Sequence, residues 1–170
     1  MATQNIILAG FMGSGKSTVG RILARTLGWK FCDTDQLIEK QAGLTVAQIF
    51  EALGEASFRE MESELAERLE QMRNHVIATG GGFMLRPLNR EAALRAGEVF
   101  LLMATPDQIW HRVGRSGQRP LLKSADPKRR IEELLKERDA AYSAIPNRVE
   151  TGGRTPQQVA EEILGRLQAK

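Results

Sequence analysis

The chain has 170 residues, 42% of them hydrophobic and 26% charged, with a formal net charge of +3. That length suits one domain with a substantial core. The apolar runs are too short to span a membrane, the opening MATQN lacks the pattern of a signal peptide, and the one cysteine, Cys32, allows no internal disulfide. The expectation is a cytoplasmic protein in a reducing compartment, with Cys32 as an inert packing residue in a strand.

NIILAG is a short apolar run that stops at glycine, as a buried strand does. The segment after it places Val19, Ile22, Leu23 and Leu27 on one helical face, and Gly28 ends it. WKFCDTD reads as a second strand. Two short helices are expected next, one holding Leu37 and Ile38 and ending near Gly43, the other capped by Thr45 with Gln48 and ending at Gly54. A longer helix is expected from Ser57, with Glu60 completing a capping box and Phe58, Met61, Leu65, Leu69 and Met72 along its apolar line.

VIATGGG is a strand running into three glycines, PLNREAALRAG a helix, and VFLLM a buried strand. Thr105, Pro106 and Gln108 open a helix carrying Ile109, Trp110 and Val113. GRSGQRPLLKSAD has no periodicity and reads as a loop. Asp126-Pro127 starts a long helix through Ile131, Leu134, Leu135 and Tyr142, NRVETGG is a last strand, and Thr155-Pro156 caps a final helix. Alternating strands and helices without a linker predict one α/β domain, with a parallel sheet covered on both faces.

Gly10-x-x-x-x-Gly15-Lys16-Ser17 is a P-loop pattern between an apolar strand and an amphipathic helix. Its glycines let successive N–H groups turn onto an anion, and the helix N-terminus adds a positive dipole. Lys16 is expected on the outer phosphates and the Ser17 hydroxyl on magnesium.

The loop does not name the phosphate acceptor. Asp33-Thr34-Asp35 narrows the choice: in an extended chain its two carboxylates share a side, about 6.6 Å apart. At a strand's carboxyl end they face the ligand crevice. One would hold magnesium through water, while the other would orient an acceptor hydroxyl and take its proton. The competing reading has Asp35 capping a helix from Gln36 and Asp33 in solvent.

Gly80, Gly81 and Gly82 clear a strand end of side chains, so that a ligand approaches bare backbone; a flexible turn is the alternative. Arg59 in the first turn of its helix, Arg112 and Arg119 beside the glycine-bearing loop, and Arg138 on the long helix are candidate anion binders. At least one is needed for the moving phosphoryl group, and others aimed at the acceptor would mark it as an anion. His75 and His111 read as structural or surface residues, and no cluster has zinc-ligand spacing.

In order and spacing, GFMGSGKSTVG, DTD, FRxxE (Phe58, Arg59, Glu62), TGGG, RPLL and ERDAAY resemble the shikimate kinase family over nearly the whole chain. The P-loop is shared by a superfamily, whereas the combination with DTD, FR, TGGG and RPLL is far more specific. The resemblance implies a three-layer P-loop NTPase fold with five parallel strands in order 2-3-1-4-5. It also implies ATP- and magnesium-dependent phosphorylation of the 3-hydroxyl of shikimate, in aromatic amino acid biosynthesis.

By that resemblance Gly13, Ser14, Gly15, Lys16, Ser17 and Thr18 wrap the ATP phosphates, Ser17 binds magnesium, and Asp33 joins the metal through water. Asp35, Arg59, Arg138 and the Gly80–Gly82 backbone would bind shikimate. Arg119 would swing onto the phosphates from a lid at about 114–125, with Arg112 and Arg154 by the adenine. Asp35, Lys16 and Arg119 form the implied catalytic set.

The expected unit is one kinase domain over 1–170, with an acceptor region at about 33–62, acting as a monomer without nucleic-acid or membrane partners. A gluconate-type sugar-acid kinase shares the P-loop but not the DTD–FR–TGGG set. A nucleotide-sensing regulatory domain would be expected to lack Asp35 or Arg119, and both are present.

Overall fold

A computed structural model describes residues 5–114 and 124–169. In chain order the strands are β1 (Asn5–Gly10), β2 (Lys30–Asp33), β3 (His75–Ala78), β4 (Glu98–Met103) and β5 (Asn147–Glu150). The helices are α1 (Lys16–Leu27), α2 (Thr34–Ala42), α3 (Val46–Leu69), α4 (Pro87–Ala96), α5 (Pro106–Val113), α6 (Pro127–Ser143) and α7 (Pro156–Gln168).

The strands form one sheet, in order β2-β3-β1-β4-β5, with every pairing parallel. β1 is central, and all six of its residues are buried. Its alternate side chains feed two cores. Ile7 and Ala9 pack with Ile77, Val99 and Leu101 beneath Ala66, Leu69, Ala92 and Ala96 of α3 and α4. Ile6 and Leu8 pack with Val76 and Phe100 against Val19 and Leu23 of α1 and Val159 and Ile163 of α7. Helices thus cover both faces of the sheet, giving the three layers expected.

From β1 the chain goes outward to β2, returns to β3 beside β1, and then crosses to β4 on the other flank. The crevice at the carboxyl end of β1 is therefore a topological switch point, where open α/β sheets bind ligands. At the opposite end Asn5 is fully buried. Its amide nitrogen donates to the Met72 and Ala96 carbonyls at 2.8 and 2.9 Å, and its amide oxygen accepts from His75 N at 3.1 Å.

The capping boxes predicted at Thr45–Gln48, Thr105–Gln108 and Thr155–Gln158 all form. The one predicted at Ser57 does not. Helix α3 runs from Val46 to Leu69 with a kink at Gly54 (φ 84°, ψ 165°), so Ser57 lies inside a helix and donates to Leu53 O at 2.8 Å. Glu60 pairs instead with Arg86 at 2.7 Å. The conformation at Gly54 belongs almost only to glycine.

Candidate active site

The loop after β1 is shaped by three glycines in conformations that L side chains rarely adopt: Gly10 (φ 145°), Gly13 (φ 74°) and Gly15 (φ 94°). Gly10 also sits hard against β4, because a Cβ there would lie 2.5 Å from the Leu102 carbonyl oxygen. Gly15 caps α1, so Lys16 is the first helical residue. The Lys16 ammonium donates to Gly10 O at 2.8 Å and Phe11 O at 2.9 Å, lying back across the mouth of the loop. Ser17 Oγ donates to Asp33 Oδ2 at 3.0 Å.

The carboxylates of Asp33 and Asp35 are not on one side of an extended chain. Strand β2 ends at Asp33, and helix α2 begins at Thr34. Asp33 is the cap: its Oδ1 accepts from Asp35 N at 2.9 Å and Gln36 N at 3.3 Å. Asp35 lies in the first helical turn, where the helix dipole favours a negative charge. The chain turns into helix immediately after β2, so the alternation of a strand does not apply. Even so, both carboxylates line the cleft that holds Lys16, Ser17 and Gly80. Thr34 is buried between them and accepts the Gly80 N–H at 2.8 Å.

A second, partly open cavity adjoins the first and shares Met12, Asp35 and Gly81 with it. Phe50 and Phe58 form an apolar wall, with ring centroids 5.2 Å apart. Arg59, Glu62 and Arg138 supply charge. Arg59 is not in a first turn, as the Ser57 start implied. It lies past the Gly54 kink, where it pairs with Glu62 at 2.7 Å and Glu55 at 3.0 Å.

Arg138 is 2% exposed and is among the largest fully buried side chains described. Its guanidinium stacks over the Phe11 ring at 4.7 Å, and its Nη1 has no hydrogen-bond partner among the described residues. A buried cationic donor left open in this way is an unmet demand for an anion. One turn further along α6, Tyr142 donates to the Gly81 carbonyl at 3.0 Å.

Glu62, 1% exposed, is the residue that the sequence reading passed over. It was visible only as the final letter of FRxxE, three residues after Arg59, which is the spacing of a helical ion pair. Burial pushes its carboxyl up to about 7, with Asp35 adding to the rise and Arg59 and Arg138 opposing it. For Arg59, burial works to lower the pKa, but Glu62 and Glu55 outweigh it and leave the guanidinium held in its charged form.

Arg112 on α5 donates to Gly13 O at 2.9 Å and Thr151 Oγ1 at 3.3 Å, tying the glycine loop to the turn after β5. Arg154 sits in that same turn, engaged by Glu150 O at 3.0 Å, Gln158 O at 3.1 Å and the Glu162 carboxylate. Arg119 lies outside the described residues. The Ser17 hydroxyl and Asp33 carboxylate present hard oxygen donors at the mouth of the loop, a set that suits magnesium.

Comparison with known proteins decides the family. The shikimate kinase family profile matches residues 12–168. The chain belongs to the shikimate kinase family. The shikimate kinase of Symbiobacterium thermophilum is 46% identical over 170 residues, covering 98% of each chain. That of Caldanaerobacter subterraneus subsp. tengcongensis is 44% identical over 161 residues, covering 95% of this chain and 94% of its own.

Among solved structures, the shikimate kinase from Acinetobacter baumannii in complex with shikimate superposes with a TM-score of 0.94 at 37% identity, over 98% of this chain and 94% of that one. A gluconokinase from Sinorhizobium meliloti 1021 shares the fold alone, at a TM-score of 0.60 and 17% identity. As a shikimate kinase family member, the chain is an ATP-dependent phosphotransferase acting on an alcohol group.

Proposed function

We propose that the protein transfers the terminal phosphoryl group of ATP to the 3-hydroxyl of shikimate, giving shikimate 3-phosphate and ADP. The observation that carries this reading is the junction at Asp35. The glycine-loop cleft and the arginine-bearing cavity meet there, so a hydroxyl held in one faces a phosphate held in the other. Shikimate is a small hydroxylated carboxylate. Its carboxylate suits Arg59 and the open Nη1 of Arg138, while Asp35 suits its hydroxyls.

In this reading the loop from Gly13 to Thr18 wraps the phosphates and Lys16 carries charge to the moving group. Asp35 orients the attacking hydroxyl and accepts its proton, and the phosphoryl passes in line to the hydroxyl oxygen as ADP leaves. Ser17 and Asp33 would hold magnesium, which would supply positive charge against the ATP phosphates. Arg112 and Arg154 would lie by the adenine, and Arg119, outside the described residues, would add charge to the phosphates.

The working unit is one kinase domain, with an acceptor region at about 33–62, acting as a cytoplasmic monomer. No helix among the described residues is long and apolar enough to cross a membrane. ADP release with ATP and magnesium, measured across shikimate, quinate, gluconate and nucleoside monophosphates, tests the assignment. Shikimate should turn over far faster than the rest, and faster turnover of gluconate would overturn it.

A further inference from the structure

The three glycines after β3 are not required by backbone conformation. None of Gly80, Gly81 and Gly82 has a positive φ, and Gly82 (φ −102°, ψ 0°) is open to any L residue. What each lacks is room. A Cβ on Gly82 would sit 2.6 Å from Cζ of Arg59. On Gly80 it would collide with Oδ1 of Asp35 and lie 3.1 Å from Oε1 of Glu62. On Gly81 the contacts would be milder, 3.2 Å to Arg138 Nη1 and 3.4 Å to Met12 N.

The backbone is also pinned. Gly80 N donates to Thr34 Oγ1 at 2.8 Å and Gly80 O accepts from Phe83 N at 3.0 Å. Gly81 O accepts from Tyr142, and Gly82 O from Leu85 N at 3.1 Å. An added methyl would therefore move the facing side chain rather than the strip.

We propose that Gly80 and Gly82 are positioning residues, sockets in which Asp35 with Glu62, and Arg59, respectively seat. The size of residue 82 then sets recognition of the acceptor's anion, and the size of residue 80 sets the alignment of its hydroxyl. This rests on the kinase reading above and adds separable roles for two residues that need not contact the acceptor through a side chain.

The test is a double-mutant cycle. Gly82→Ala should lower kcat/KM for shikimate by roughly 10²-fold, the order of a small misplacement, mainly through KM, with the KM for ATP unchanged. It should also narrow the preference for shikimate over its uncharged methyl ester. Gly80→Ala should lower kcat and keep that preference.

In an Arg59→Ala background, where the guanidinium is gone, Gly82→Ala should change neither kcat/KM nor the thermal midpoint further. Equal losses in both backgrounds, an unchanged ester preference in Gly82→Ala, or unfolding of both the single and the double variant would overturn the proposal. Unfolding of Gly82→Ala alone, rescued by Arg59→Ala, would support it. Turnover of shikimate by the unaltered protein reports separately on the kinase reading.

Discussion

The Tyr142 hydroxyl donates to the carbonyl of Gly81 at 3.0 Å, fastening helix α6 to the strip that runs between the two clefts. Arg138, one turn earlier on the same helix, stacks on Phe11 just after the central strand. One face of α6 therefore holds the loop and carries the buried Arg138 charge together. Tyr142→Phe should cost about 1 kcal/mol of stability and raise the KM for shikimate several-fold, leaving the KM for ATP in place. Denaturant midpoints and steady-state kinetics check this, and a rise confined to ATP would contradict it.

Asp33 and Asp35 should separate by function despite lying two residues apart. Asp35→Asn keeps the shape but removes charge and basicity, so turnover should fall by about 10²–10⁴-fold with ATP binding little changed. Asp33→Asn keeps the cap on α2, since asparagine caps as well as aspartate. It should instead raise the magnesium concentration needed for half-maximal rate. Near-normal turnover in Asp35→Asn would reduce that residue to a favourable charge in a helix's first turn.

Lys16→Ala should lower turnover by at least about 10²-fold, the scale for removing one charge-stabilising donor. The lost bonds to Gly10 O and Phe11 O should cost only about 1–2 kcal/mol, so the thermal transition should persist. Loss of that transition would make Lys16 a strut of the loop rather than a phosphate ligand.

Glu62 makes a prediction about pH. Its folded-state pKa, about 7, lies above the ordinary carboxyl value of 4.5, so the folded protein favours the protonated form. Its contribution to stability is fully present below about pH 4.5 and is lost as pH rises through about 7, a change of about 3 kcal/mol. The groups facing it are Arg59 on its own helix, Asp35 on α2 and Arg138 on α6. In Glu62→Gln this decline should vanish. Urea unfolding at pH 5 and pH 8 should show the unaltered protein losing stability relative to the variant, and parallel profiles would count against a proton on Glu62.

The P-loop and most helix starts were legible because they rest on local chemistry, whereas the strand order was implied only by the family resemblance. A Thr-x-x-Gln box at 105–108 or 155–158 closes on itself whatever surrounds it. Ser57–Glu60 has the same letters, but the chain upstream is already helical, so the hydroxyl bonds back to Leu53 and Glu60 turns to Arg86. Asp33 and Asp35 were chosen correctly as a pair facing the cleft, for the wrong geometric reason, because a strand of four residues gave way to helix at Thr34. Glu62 was illegible as a buried group. A glutamate on a helix reads as solvated, and its burial arises from α2, α6 and the glycine strip closing around it.

The bend at Gly54 has an evolutionary consequence. Val46 and Phe50 precede it and Phe58, Arg59 and Glu62 follow it, yet all five face one cavity. The cavity lies in the crook of a single bent helix, and a Cβ at residue 54 would meet nothing within 4 Å, so its backbone conformation alone reserves the position for glycine. Lineages drifting toward a different acceptor could therefore gain less from trading wall residues one at a time than from one change at the elbow. Such a change swings both walls together and leaves the nucleotide half of the molecule as inherited.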